Sequence, residues 1–341
     1  MAVTIKEIAR ICGVSYSTVS RALNDYPLTN AVTKKRILET ARSLGYTPND
    51  IARKLVSKKA DTVGLILPDI SNPYFPDVVK GVADKLDEAG YSVILCNVDW
   101  QVKNESKYRN VLISKRVAGL IVAPSSDKSG DVFDNVHMPV VFVGSKTASL
   151  SSNYVSVDNK KGARLAVEYL IKLGHKKIAC ILTKIINISV YERMYGYREA
   201  LAEAGLDAPV SYIVTSGKFS IKGGYEAANE LLNLPEPPTA IVAFEDLLAL
   251  GAVEAAKDHG KKVPDEISVI GFDDIIFSGL PAINLTTVFQ PKYKAGAEAA
   301  RILLDKINEP EDKTPVQIVL KPELIERGTC APPPGIQPQR L

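Results

Sequence analysis

From Thr62 onward the chain alternates short apolar runs with amphipathic stretches, and that alternation restricts it to parallel sheets wrapped in helices. Val63–Leu67, Ser92–Leu95, Gly119–Val122 and Val140–Val143 read as buried strands, with helices predicted over Tyr74–Gly90 and Glu105–Lys115. A second series resembles the first. It runs helix Lys161–Leu173, strand Ile178–Leu182, helix Tyr191–Gly205, strand Tyr212–Val214, helix Gly223–Leu232 and strand Ala240–Ala243. Two similar α/β units within 341 residues predict two lobes with a cleft between them. Ligands in open α/β sheets gather beyond the carboxyl ends of the strands, so every post-strand loop is a candidate wall.

Those loops carry the informative side chains. Asp69–Phe75, with Asn72, Tyr74 and Phe75, follows the first strand, and Ser125 follows the third. Arg193 starts the helix after Leu182, and Phe219 precedes Gly223. Glu245-Asp246 follows one later strand and Asp273-Asp274 follows Val269–Phe272. Carboxylates and an arginine in an aromatic-walled cleft suit a hydroxyl-rich ligand, which needs both donors and acceptors. The alternative for each is a helix cap or a surface ion pair. That alternative is preferred for Asp246 and Asp274, but not for Arg193 and Asp273.

The N-terminus has a different grammar. Thr4–Arg21 reads as two short helices around a turn at Cys12-Gly13-Val14, where glycine reaches conformations that a Cβ penalises. Thr4 and Glu7 have the spacing of a capping box, and Ser15 can cap the second helix, Tyr16–Leu23. Val19, Ala22 and Leu23 face inward, leaving Tyr16, Ser17, Ser20 and Arg21 outward. This set suits base edges and phosphates; the alternative is a helical hairpin with a solvated polar face. A third helix is expected from Asn30 or Ala31 to Leu44, with Gly45 ending it and Lys34, Lys35 and Arg36 near its start, within reach of phosphates. Beyond it, Ala52 and Leu55 form a small apolar ridge beside Arg53 and Lys54. A helix of about seven residues there needs a partner to be stable, and such a ridge suits a minor-groove wedge; a solvated linker is the alternative.

Charge supports this division. Residues 1–60 hold 11 Lys and Arg against 4 Asp and Glu, whereas the remainder holds 31 against 35, although the formal net charge is only +3. A basic head on a mildly acidic body places nucleic-acid contact in the head. Cys12, Cys96, Cys180 and Cys330 are widely spaced without a CxxC motif, and the expectation is free thiols, no metal and no cofactor. With neither a signal peptide nor a long apolar run, the chain is expected in the cytoplasm and away from membranes.

TIKEIARICGVSYSTVSRALN, LGYTPNDIARKL, TVGLILPDISNPYF, GYREALAEAGL, PTAIVAFEDLLALGA, ISVIGFDD and LTTVFQP occur in that order across almost the whole chain. Together they resemble the LacI/GalR family of bacterial transcription regulators. The resemblance implies an α/β fold class: a three-helix helix-turn-helix head (1–48), a hinge helix and linker (49–60) and a two-lobed periplasmic-binding-protein-like core (61–330). Lobe 1 is expected at 61–160 plus 291–322, and lobe 2 at 161–290 plus 323–330. Tyr16, Ser17 and Arg21 are implied to enter the major groove, Leu55 to be the wedge, and Thr4, Ser15, Asn24 and Thr33 to sit on phosphates. Phe75, Arg193, Phe219, Glu245 and Asp273 are implied to line the effector pocket, with Glu245 standing where the family usually has Asn. Lys146, in FVGSKT, and Lys184 add positive charge nearby.

The proline-rich tail, 331–341, is expected to be disordered and holds no leucine heptad, which favours a homodimer. The partners expected are double-stranded operator DNA and a small-molecule effector, most simply a sugar or a relative of one. A catabolite-control-type regulator with a phosphocarrier protein as co-effector is the alternative. No GxSxG or HExxH motif is present, and Gly144–Thr147 lacks the first glycine and the Gly-Lys step of a phosphate loop. A cytosolic sugar-processing enzyme is therefore the weaker reading.

Overall fold

Within the first unit of the chain, Met1–Ala60, three helices close around one small core. They are α1 (Ile5–Ile11), α2 (Tyr16–Leu23) and α3 (Ala31–Ser43). Ile8, Ala9, Cys12, Val19, Ala22, Ile37 and Ala41 are buried together, at the spacings that put one face of each helix inward. The computed structural model describes residues 3–23, 26, 30–46, 60–146, 151–183 and 187–335. Asn24, Ala52, Leu55 and Lys184 lie outside them, so the expected hinge helix does too.

The caps differ from one helix to the next. Ser15 Oγ accepts from the Thr18 amide at 3.1 Å, and Asn30 Oδ1 accepts from the Val32 and Thr33 amides at 3.0 and 3.4 Å. The capping box expected at Thr4 does not form. The Glu7 amide, which the threonine hydroxyl would serve, is already bonded at 3.0 Å to the Thr4 carbonyl. Gly13 has φ +60 in the turn, and Gly45, at +62, ends α3. Arg36 is not held out as a free phosphate contact, because Nη2 donates to the Cys12 carbonyl at 2.8 Å and ties α3 to the turn.

The second unit, Asp61–Leu341, contains two six-stranded sheets. The first holds β1 (Thr62–Leu67), β2 (Ser92–Asn97), β3 (Leu120–Val122), β4 (Val140–Val143) and β5 (Asn153–Val157). The second holds β6 (Ile178–Thr183), β7 (Ile213–Ser216), β8 (Ala240–Ala243), β9 (Ser268–Asp273) and β10 (Thr286–Phe289). Two late strands complete them: β11 (Gln317–Leu320) joins the first sheet beside β5, and β12 (Glu323–Ile325) joins the second beside β10. The orders are β11-β5-β4-β3-β1-β2 and β12-β10-β9-β8-β6-β7. Every pairing is parallel except β10 with β12. The chain therefore crosses between the sheets three times: after β5, after β10 and between β11 and β12.

Helices flank both sheets: α4 (Phe75–Glu88), α5 (Val102–Ser114) and α6 (Ser129–Phe133) in the first half, α7 (Asn159–Lys172), α8 (Ile188–Glu203), α9 (Ile221–Leu232) and α10 (Asp246–Asp258) in the second, and α11 (Lys292–Asn308) after the second crossing. α4 and α11 approach so closely that a Cβ on Gly81 would lie 2.0 Å from the Tyr293 carbonyl oxygen, and one on Gly296 2.1 Å from that of Val78. Only glycine fits at this crossing.

Two expectations change here. Asp246 is neither a simple cap nor a surface ion pair. Fully buried, it accepts from the Ile275 amide at 2.8 Å, Ser278 Oγ at 2.6 Å and Thr287 Oγ1 at 2.5 Å, stitching α10 to the segments after β9 and into β10. Asp274 does form an ion pair, with Arg327 at 2.6 Å. The tail expected to be disordered is seated at its start: the Ala331 amide donates to Ser268 Oγ, and its carbonyl accepts from Ser268 Oγ and lies 2.9 Å from His175 Nε2. All four cysteines are free thiols.

Candidate functional site

The carboxyl ends of the parallel strands in both sheets border one cleft of about 510 Å3, open solvent included. From the first sheet come Asn72, Tyr74 and Phe75 after β1, Trp100 after β2, Ala123 and Pro124 after β3, and Gly144 and Ser145 after β4. From the second come Asn187, Ser189 and Arg193 after β6, Glu245 after β8, Asp273 at the end of β9 and Gln290 after β10.

Each is held for a local reason. Asn72 Oδ1 accepts from the Tyr74 amide at 2.9 Å, a turn that delivers the Tyr74 and Phe75 rings at the start of α4. Those rings meet edge to face with centroids 5.2 Å apart. Trp100 follows β2 on a left-handed pair, Asp99 and Trp100, at φ +52 and +56. Its indole stacks on Phe219 of the loop before α9, with centroids 4.2 Å apart and planes 5° from parallel. This stack joins the two halves across the cleft. Ser189 Oγ to Ser145 Oγ at 3.1 Å and Lys146 Nζ to Glu192 Oε1 at 2.6 Å do the same. Lys146 is thus already paired rather than free for a ligand.

The floor is ionic. Arg193 is buried, its Nε donating to Asn159 Oδ1 at 2.9 Å, its Nη1 to the Phe244 carbonyl, and its guanidinium lying 3.8 Å from the centroid of the Phe272 ring. Asp273 is only 4% exposed and has φ +127. Its Oδ1 accepts from Gln290 Nε2 at 2.6 Å, and Lys292 Nζ donates to the Asp273 and Asp274 carbonyls at 2.6 and 2.7 Å. Burial pushes the Asp273 carboxyl up to about 7, against the lowering influence of Arg193. Glu245 occupies the N-cap of α10 without capping it, and its Oε2 is shut off from solvent with no hydrogen-bond partner among the described residues. Burial first, and the charge of Asp273 second, raise its carboxyl well above the ordinary range. Burial also raises the Tyr74 phenol.

Of the sequence-expected set, Asn72, Tyr74, Phe75, Arg193, Glu245 and Asp273 converge on the cleft. Ser125 and Phe219 are not in its lining. Ser125 points its amide at Glu105 Oε1, 2.8 Å away, and buries its hydroxyl; Phe219 acts on the cleft only through Trp100. Trp100, Gln290 and Asn187 were missed. The post-strand rule reaches Trp100 directly after β2, whereas Gln290 follows a strand with no continuous apolar run.

On the head, Tyr16, Ser17 and Arg21 are exposed along α2, Tyr16 by 57%, while Ser20 and Thr33 are half-buried and Thr4 is exposed. The backs of these helices carry the core, so the polar face is left to solvent.

Residues 4–49 match the family model described as bacterial regulatory proteins, lacI family, and residues 167–330 match the periplasmic binding protein-like domain. The HTH-type transcriptional regulator DegA of Bacillus subtilis (strain 168) is 36% identical over 337 residues, 97% of this chain and 99% of DegA. The chain belongs to the LacI family. It is a DNA-binding transcriptional regulator, and the relatives it matches are regulators rather than enzymes. Among solved LacI-family structures, the lac repressor dimer bound to operator and the anti-inducer ONPF matches with a TM-score of 0.87 and 27% identity, covering 97% of this chain and 100% of that one. The transcriptional regulator CelR–cellobiose complex matches with a TM-score of 0.73 and 29% identity, covering 96% and 99%. No helix among the described residues is long and apolar enough to cross a membrane.

Proposed function

We propose that this LacI-family regulator is a cytoplasmic homodimeric repressor whose affinity for operator DNA is set by a sugar or sugar derivative bound between the two sheets. The observation that carries the reading is the convergence of Asn72, Tyr74, Phe75, Arg193, Glu245 and Asp273, from loops of both sheets, on one cleft. A ligand there touches both halves, so it favours one arrangement of them over another by its difference in affinity, and it shifts operator binding by no more than that difference. The cellobiose held by the related CelR structure supports a sugar as the class.

In this reading residues 1–48 form the DNA-binding head, 49–60 the hinge and 61–330 the effector core. Tyr16, Ser17, Ser20 and Arg21 read bases, Arg21 offering the fork that suits guanine O6 and N7. Thr4, Ser15 and Thr33 sit on phosphates; Asn24 joins them, and Ala52 and Leu55 serve the minor groove. Two heads on a symmetric dimer meet two half-sites. Fluorescence anisotropy on operator and scrambled duplexes at fixed salt tests the assignment. Arg21→Ala is expected to weaken operator binding by about 1–3 kcal/mol and scrambled-duplex binding by much less. Equal losses on both duplexes remove the reading role.

A further inference from the structure

The charges lining the cleft narrow what it can select. Among the described residues, and besides the Tyr74 phenol, three ionisable side chains line it: one guanidinium, Arg193, and two carboxylates, Glu245 and Asp273. The guanidinium is committed to the wall, through Asn159 Oδ1, the Phe244 carbonyl and the face of Phe272. Neither carboxylate is among those partners. Lys292, the other cation beside Asp273, spends its protons on the carbonyls of Asp273 and Asp274. Asp273 receives one hydrogen bond, from Gln290, and Glu245 Oε2 receives none among the described residues although it is closed to solvent. A buried acceptor in that condition is costly, and more so if charged. Burial holds both carboxyls above their ordinary range, helped at Glu245 by the charge of Asp273 and at Asp273 by that of Asp246, and the opposing charge of Arg193 does not bring either back down.

We propose, on the basis of the effector reading above, that the cleft selects a sugar-sized polyol carrying a protonated amine, with the ammonium set against Glu245 and Asp273. An ammonium brings three donors and one positive charge, which satisfies the orphaned Oε2 and offsets the surplus carboxylate together. A neutral hydroxyl brings one donor and leaves that charge uncompensated. A phosphate or sugar acid adds acceptors where acceptors are already in excess. The rings of Phe75 and Trp100 and the hydroxyls of Ser145 and Ser189 remain for the apolar face and hydroxyls of the same molecule.

Isothermal titration calorimetry on the full chain at about pH 7.5, using matched sets, tests this. Each set holds an amino sugar (glucosamine, galactosamine or mannosamine), its parent hexose, its N-acetyl form and the hexose 6-phosphate. At least one free amine is expected to bind about tenfold tighter than the other members of its set. Glu245→Gln, which keeps the shape and removes the charge, is expected to bring that preference to within about threefold. The wild-type ranking stands by itself should the variant fold poorly. A parent hexose, N-acetyl form or phosphate that binds as tightly as its amine overturns the proposal. So does an amine preference that survives in a folded Glu245→Gln protein, and so does absence of binding by all three amines. A neutral sugar that binds and also changes operator affinity leaves the effector reading standing and removes only the amine.

Discussion

Replacing Asp273 by Asn should stabilise the protein at alkaline pH and leave it nearly unchanged in acid. Raising a carboxyl from 3.8 to about 7 means that the native state holds its proton more tightly than the unfolded chain does. At 1.36 kcal/mol for each tenfold change in proton affinity, the full penalty is about 4 kcal/mol. Its sign follows from linkage. Between the two values the folded protein binds more protons, so stability falls as pH rises through about 4 to 7 and is level above that. Somewhat over a third of this penalty is already lost by about pH 5, which leaves about 2–3 kcal/mol to be lost between about pH 5 and pH 8. Asparagine keeps the Oδ1 acceptor that Gln290 uses and cannot ionise. Urea unfolding at both pH values measures the difference between wild type and variant. Taking that difference cancels His175, which burial keeps below its ordinary value and which makes stability rise with pH. The variant should gain about 2–3 kcal/mol relative to wild type on going from the lower to the higher pH. A difference that stays constant with pH, or a variant that loses ground at the higher value, refutes the account.

The remaining expectations address packing and caps. Ser15→Ala should cost the head about 1 kcal/mol, seen as faster amide hydrogen exchange in α2, because the Thr18 amide loses its acceptor. Gly296→Ala should destabilise the second unit by about 3 kcal/mol and lower its melting temperature by several degrees, since its Cβ meets the Val78 carbonyl at 2.1 Å. Unchanged melting would mean that α4 and α11 separate at no cost. Phe219→Ala removes a stack worth about 1 kcal/mol. Trp100 is the sole tryptophan, so its emission should shift to the red; an unaltered spectrum argues against the stack in solution.

What could be read from the residues divides along physical lines. β1, β3, β4, β6 and β8 are continuous apolar runs buried on both faces, so they declare themselves, as does the rule that their carboxyl ends bear the ligand groups. β5 and β10 escape that test. In β10, Thr286 and Thr287 are fully buried but satisfied by Arg327 and Asp246, which lie far away in the chain, so local polarity misleads. Asp246 deceives in the same way: a carboxylate at a helix start reads as a cap, and only the fold brings Ile275, Ser278 and Thr287 to it. Gln290 was hidden because its strand was. Ser125 fails for another reason, since its loop turns the hydroxyl inward beside Glu105. Thr4 shows that spacing alone does not make a cap when the backbone has already taken the donor.

The threefold passage of the backbone from sheet to sheet limits both motion and dissection. No single scission frees one half, because each half is assembled from separate lengths of polypeptide, and a truncation after β10 leaves both sheets short of an edge strand. Three tethers side by side let the halves swing as a door does on several pins, while resisting a slide of one past the other.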